Sequence, residues 1–337
     1  MTAPGQPLTI VMYHYVRPIT GSAHPGIKGL ELEAFRGQVE YVLRHHTVVS
    51  MDDAVAAARG ECVAPECPAV LTFDDGYADH ARHVFPVLRE HGVSGAFFPP
   101  SEAVLERRPL DVNKVQFVLA SGVDPAILVA TIEDAVVTAD RADVGPLEAY
   151  RRELHVANRF DPAPVIYVKR MLQHALPEDL RTAIVDDLFR RYVTTDETGF
   201  ADDLYLRVED LRTMVDGGMH VGTHGHAHRW LDRLERGAQA ADIDRSLALL
   251  DAVGLPRRGF TFCYPYGGFT DETKEVLEER GCAAAVTTRV GLATLSPADL
   301  LELPRLDTND LPTDAAAAPS SWTVAAGTPT TGPTPTP

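Results

Sequence analysis

Apolar residues fall into two rhythms along the chain. Leu8–Tyr13 (LTIVMY) is a strand-sized run, and Ala69-Val-Leu-Thr-Phe73 ends abruptly on Asp74 and Asp75. Gly95–Phe98, His220–Thr223, Gly259–Tyr264 and Ala283–Val286 read as further strands, with a short one at Thr47–Ser50. Between them apolar positions recur at helical spacing, as in Leu30, Phe35, Val39, Val42 and Leu43 of the segment Leu30–His46. Met51–Ala58, Asp79–Glu90, Val208–Asp216, Ala238–Val253 and Asp271–Arg280 repeat that pattern. Strands alternating with helices predict a parallel sheet in an α/β fold.

The rhythm is interrupted once. From about Ser101 to Tyr205 no strand pattern occurs, and Pro125–Ala139, Pro146–Val156 and Val165–Tyr192 are helical by periodicity. This predicts an α/β domain over 1–100 and 205–312 with a helical insertion at 101–204. The last stretch, 313–337, is rich in Pro, Thr and Ala, and its composition predicts disorder.

Composition narrows the possible partners. Against 31 Lys and Arg stand 48 Asp and Glu, a net charge of −17, which disfavours nucleic acid and anionic membrane surfaces. The four cysteines, Cys62, Cys67, Cys263 and Cys282, include no C-x-x-C pair and read as reduced thiols. The first residues lack the basic and apolar regions of a signal peptide, and no run approaches membrane-span length. A cytoplasmic protein is the expectation, with an intracellular sugar, glycolipid or glycan precursor as the corresponding class of substrate.

Three stretches carry candidate chemistry. Two adjacent carboxylates, Asp74 and Asp75, end a buried strand, where α/β sheets place ligands; a helix cap would account for only one of them. Four of the 13 histidines fall within His220–His228. His224 and His228, four apart, would face one way from a helical turn and suit one metal ion completed by a carboxylate. His220 and His226 read as solvated loop residues. Phe262-Cys-Tyr-Pro-Tyr-Gly-Gly268 follows a strand, and such a turn can aim a backbone N–H at a developing oxyanion. Asp79 and His80 read as the exposed start of a helix, and Trp230 and Leu231 as core or pocket wall. Asn113 and Lys114 are candidate substrate contacts from the insertion.

Together TFDDGY (72–77), the histidine pair and the aromatic-Pro-Tyr-Gly turn resemble the polysaccharide deacetylases, carbohydrate esterase family four. The likeness covers Leu8–Phe98 and Tyr205 to about Leu311. It implies a distorted (β/α) barrel with fewer than eight strands, and hydrolysis of the N-acetyl group of an N-acetylated sugar. It also implies Asp74 as general base, Asp75, His224 and His228 as ligands of a divalent metal, and a Tyr266 backbone N–H at the oxyanion. Zinc is the default ion, with cobalt, nickel or manganese accepted by the same ligands.

The sequence departs from the family pattern in three ways. Gly225 follows the first metal-ligand histidine in place of Ser or Thr, which predicts looser support for that loop. Cys263 stands where many members carry an arginine, and Arg305 is the candidate substitute. No histidine follows His228, so the general acid must come from elsewhere. Met12-Tyr-His-Tyr15 looks like the N-terminal Tyr-His segment of a circularly permuted branch, which implies His14 as the acid. Two other readings keep the same fold: a hydrolase of cyclic amides or ureides, and an inactive sugar-binding protein.

Overall fold

The computed structural model describes residues 5–327. They divide into two compact units: one made of the residues up to Pro18, Gly29–Arg108 and those from Asp202 onward, the other of Ile19–Lys28 and Pro109–Ala201.

The first unit is built on seven parallel strands: β1 (Pro7–Tyr13), β2 (Pro68–Asp74), β3 (Ala96–Phe98), β4 (His220–Val221), β5 (Thr261–Cys263), β6 (Ala284–Val290) and β7 (Leu303–Asp307). Their order is β4-β3-β2-β1-β7-β6-β5. The two outer strands meet beyond β4, where Thr223 N–H donates to the Thr261 carbonyl (3.0 Å) and Cys263 N–H to that of Thr223 (2.9 Å). The sheet is thereby curled into a distorted (β/α) barrel of fewer than eight strands, as expected. Short strands at Thr47–Val48 and Ala293–Thr294 flank β2 and β1.

Strand alternation divides the side chains between two cores. Leu8, Ile10, Val70, Ala96, Phe98, Cys263, Val286 and Leu303 pack with one another. Val11, Tyr13, Leu71, Phe73 and Phe97 turn the other way, against helical residues such as Phe35, Val39, Val42 and Val87. Tyr13, Phe73 and Phe97 stack at centroid distances of 5.0 and 4.8 Å, which ties together the ends of β1, β2 and β3. The ends of β1 and β2 carry the first candidate site residues, His14 and the pair Asp74 and Asp75.

Several elements differ from the periodicity. The segment read as one helix over Asp79–Glu90 opens with a wide π turn, His80–Val84, before the α-helix Phe85–Glu90. Pro86 has no N–H to bond the Arg82 carbonyl, and the Phe85 N–H reaches back five residues to His80. Asp79 and His80 are buried rather than exposed: Arg17 Nε donates to Asp79 (2.5 Å), and His80 is enclosed by Phe73, Tyr77 and Phe97. Strand β7, LPRLD, was not expected as a strand, since a proline and an arginine break its apolar run.

In 313–337, where composition predicts disorder, Ser321–Ala326 forms a helix capped by Ser320. Trp322 is buried in the main core, and the Tyr41 hydroxyl is hydrogen-bonded to Thr323 Oγ1 and accepts from Ser320 N–H, both at 2.8 Å. Tertiary contacts of this kind supply the ordering energy that local composition does not reveal. Residues 328–337 of that stretch lie outside the described residues.

The second unit is helical, with Asp111–Ala120, Pro125–Ala139, Leu147–Leu154, Ala163–Arg170 and Glu178–Tyr192. The helix predicted over Val165–Tyr192 is split by a π turn, Met171–Ala175, and by Pro177. The unit begins later than the insertion predicted at 101–204 and takes in Ile19–Lys28, which the pattern did not single out. Lys114 is buried between Asp186 (2.6 Å) and Glu197 (2.7 Å), and Asn113 bonds Gln116. Both are engaged inside this unit, so neither is a substrate contact from an exposed face. No helix among the described residues is long and apolar enough to cross a membrane.

Candidate active site

The candidate residues of the barrel gather at the carboxyl ends of its strands: His14 after β1, Asp74 and Asp75 at the end of β2, His224 and His228 after β4, Tyr266 after β5, and Arg305 within β7. Parallel sheets leave this edge open because each chain turns there into a loop.

The two adjacent carboxylates have separate partners. Both oxygens of Asp74 accept from Arg305, Nη1 at 2.9 Å and Nη2 at 2.7 Å. Arg305 is fully buried; its Nε donates to the Thr287 carbonyl (2.8 Å), Nη1 also to Thr72 Oγ1 (3.0 Å), and Nη2 lies 3.2 Å from Cys263 Sγ. The arginine thus reaches Asp74 from β7, and the smaller Cys263 side chain lies beside its guanidinium. Burial alone would raise the Asp74 pKa, but the charge and hydrogen bonds of Arg305 outweigh it and hold the carboxyl at about 2. Burial pushes the Cys263 thiol up, which keeps it neutral beside the pair.

Asp75 turns the other way. Its φ of +69° is unusual for a residue with a Cβ. Gly76 follows at φ +66°, and a Cβ there would come within 2.4 Å of Pro99. This bend separates the two carboxylates. Tyr77 donates its hydroxyl to Asp75 Oδ2 (2.6 Å), which leaves Oδ1 facing His228 Nε2 at 3.4 Å and His224 Nε2 at 3.5 Å. The two Nε2 atoms are 3.1 Å apart. Burial would raise the Asp75 pKa, but the two imidazoles beside Oδ1 outweigh it and hold the carboxyl well below the usual carboxylate range.

These donors fit a divalent ion. Ligands about 2.0–2.1 Å from zinc stand roughly 3.0–3.4 Å from one another, close to the three separations above. His224 Nδ1 is 2.8 Å from the Cys263 carbonyl, which in the neutral ring places the proton on Nδ1 and a lone pair on Nε2. Burial lowers the His228 pKa and favours its neutral, ligating form. Asp75 Oδ1 is buried without a hydrogen-bond partner, and a cation there would satisfy it.

The histidine loop is not a helical turn. His228 has φ +52° and Gly225 φ +68°, and the rings converge from an irregular loop. Gly225 does not leave this loop unsupported. Asp242, on the helix Arg236–Ser246, accepts from His226 N–H (2.8 Å) and Ala227 N–H (3.3 Å), and a Cβ on residue 225 would meet that carboxylate at 2.8 Å. His220 and His226 are not solvated either: His220 Nε2 lies 2.6 Å from Thr261 Oγ1, and His226 is buried with Nδ1 2.7 Å from Ser101 Oγ.

His14 is the accessible member of the group, its side chain 40% exposed with Nε2 3.9 Å from Asp74 Oδ2. Its carbonyl lies 2.9 Å from His80 Nε2, which fixes the peptide carrying it. Tyr266 occupies a tight turn with φ +57°; its ring is 4.5 Å from that of His228 and stacks on Trp230 at 4.6 Å. Trp230 is therefore part of the wall beside the histidines, and Leu231 is core. Sequence reasoning missed Tyr77, His80 and Asp242 as supports. Only Tyr77 carried a signal, its place in TFDDGY.

Comparison with known proteins bears on the family and the fold. Residues 63–122 and 190–285 match the family model of polysaccharide deacetylases. No curated protein matches the chain. Similar solved structures include the Streptococcus pyogenes deacetylase PplD in complex with acetate, at 15% identity over 90% of this chain and 93% of that one, with a TM-score of 0.54. IcaB from Ammonifex degensii is similar at 19% identity over 97% of this chain and 100% of its own, also at 0.54. The BpsB deacetylase domain from Bordetella bronchiseptica reaches 0.51 at 15% identity, covering 90% and 97%. At these identities the likeness establishes the fold.

Proposed function

Because the chain carries a polysaccharide deacetylase domain, we propose that it removes the N-acetyl group of an N-acetylated sugar or glycan precursor by metal-dependent hydrolysis. The observation that carries this reading is the division of labour at Asp74 and Asp75: one carboxylate is held by an arginine, and the other turns an unpaired oxygen toward two buried imidazoles.

Asp75, His224 and His228 would hold the divalent ion, zinc by default. When bound, such an ion acidifies water and polarises a carbonyl oxygen. Asp74, anionic at neutral pH, takes a proton from the attacking water as its oxygen bonds to the amide carbon. Arg305 fixes both oxygens of Asp74 and keeps that base in one orientation. The Tyr266 backbone N–H donates to the oxygen that gains charge. His14, at the rim beside Asp74, gives a proton to the nitrogen as the C–N bond breaks; the products are acetate and a free amine.

The first test needs no substrate. Purified wild-type protein is expected to retain tightly bound zinc that His228→Ala loses, and acetate release from N-acetylated sugars should follow the zinc content. Wild type that binds no zinc, even after incubation with it, would overturn the reading. Zinc binding with ring opening of cyclic amides and no acetate release would transfer the site to that substrate class. Gly225 and Cys263 are the departures that favour an inactive protein, and the contacts of Asp242 and Arg305 weigh against it.

His14→Ala is expected to lower kcat by about 10²–10⁴-fold, the usual contribution of a general acid. The loss should shrink for acetyl esters with good leaving groups, which need no protonation. A His14→Ala enzyme with unaltered rate on N-acetylated sugars would remove this histidine from the mechanism.

A further inference from the structure

Beside the histidine loop lies a second cluster that the deacetylation chemistry does not use. Glu102, Glu106 and His226 each offer a ligand atom, and these lie within 4.8 Å of one another. Glu102 sits on the short helix Ser101–Leu105, and Glu106 follows it directly. The segment is docked onto the loop by backbone: Ser101 N–H donates to the Gly225 carbonyl (3.2 Å) and Glu102 N–H to that of His226 (3.0 Å).

The observation that points to a ligand is the ring of His226. Only 4% of this residue is exposed, yet its Nε2 is buried without a hydrogen-bond partner and lies 3.4 Å from Glu106 Oε1. Its Nδ1 is 2.7 Å from Ser101 Oγ, whose own proton can go to the Arg245 carbonyl at 3.5 Å. In the tautomer that carries its proton on Nδ1, toward Ser101 Oγ, His226 Nε2 presents a lone pair. A lone pair then faces a carboxylate oxygen, two acceptors with no proton between them, and a cation satisfies both.

We propose that Glu102, Glu106 and His226 form a second divalent-cation site, selective for zinc-like ions, distinct from the Asp75–His224–His228 triad. A ring nitrogen with two carboxylates suits such ions better than magnesium or calcium, which prefer all-oxygen sites. Two cations moderate it: Arg245 Nη2 lies 3.0 Å from Glu106 Oε1, and Arg108 Nη1 3.7 Å from Glu102 Oε1. The second ion is therefore held more weakly than the first. It would brace the loop at His226, between the two histidines of the triad, and this assignment does not depend on the reaction catalysed there.

The test is equilibrium dialysis of the metal-free full chain against a graded series of Zn²⁺ concentrations, with zinc per chain measured at each step. Wild type should reach two ions in two steps, and Glu102→Gln/Glu106→Gln should lose the weaker step only. His228→Ala should lose the tighter step only, so failure at either site is read separately. Ser101→Ala, which leaves every ligand in place, should weaken the second ion by about 10–100-fold, the usual effect of removing a partner of a ligating histidine. A Glu102→Gln/Glu106→Gln variant that binds as many ions as wild type, whether that number is one or two, would overturn the proposal.

Discussion

Asp74→Asn is expected to lower kcat for acetate release by about 10²–10⁴-fold, the usual contribution of a positioned base, while zinc content stays at the wild-type level. Asparagine matches aspartate in shape but has no basic oxygen, and it presents an N–H group to one arm of the Arg305 guanidinium. The base is lost while Asp75 and the histidines keep their geometry. Asp75→Asn should do the reverse, losing zinc first and activity as a consequence. Elemental analysis beside saturating kinetics separates the two, since a lost base lowers kcat with little change in KM. An Asp74→Asn protein that loses its zinc would make Asp74 a ligand, and one that keeps most of its rate would require another base.

The second large effect falls on stability. Arg305→Met removes one partner of a fully buried ion pair and leaves Asp74 as an uncompensated charge. Such changes cost about 3–5 kcal/mol, a large share of the roughly 5–15 kcal/mol that holds a domain together. Urea denaturation should show a lower midpoint with little change in slope. Adding Asp74→Asn should restore part of the loss, because the stranded charge is then gone.

The pH dependence follows from the same pair. The folded-state pKa of Asp74 is depressed to about 2, so its contribution is present above the ordinary carboxylate range and is lost as pH falls through about 2. Without Arg305 the burial that raises this pKa is no longer outweighed. The acid limb of kcat/KM should then move to higher pH. An Arg305→Met enzyme as stable as wild type, with the same acid limb, would deny Arg305 its part.

What the sequence disclosed follows from how locally each feature is encoded. Met51–Ala58, Pro125–Ala139 and Val208–Asp216 match their predicted bounds because their apolar spacing is set within the segment itself. Asp74, Asp75, His224 and His228 stand in short motifs whose residue types are costly to bury without purpose. The π turn at His80–Val84 depends on a proline at the following turn, and the helix at Ser321–Ala326 depends on Tyr41, far away in sequence. Arg305 was singled out only because Cys263 left a gap, and β7 went unseen because the residue that completes the pair with Asp74 interrupts its apolar run. Asp242 gave no local sign, since a carboxylate on a surface helix looks the same whether or not it caps a distant loop.

The place of β7 in the barrel also bears on how the protein is made. This last strand of the sheet lies between β1 and β6, so when the first three hundred residues have left the ribosome the barrel is still open between those two strands. Until Leu303–Asp307 arrives, the facing edges of β1 and β6 carry unpaired backbone groups, and Asp74 has no guanidinium to oppose its charge. Closure joins residues 231 positions apart, a long-range step of the kind that slows folding. A nascent or prematurely terminated chain therefore exposes two open sheet edges, which are targets for chaperones and proteases, and the hydrolytic centre is assembled only when synthesis of the barrel is complete.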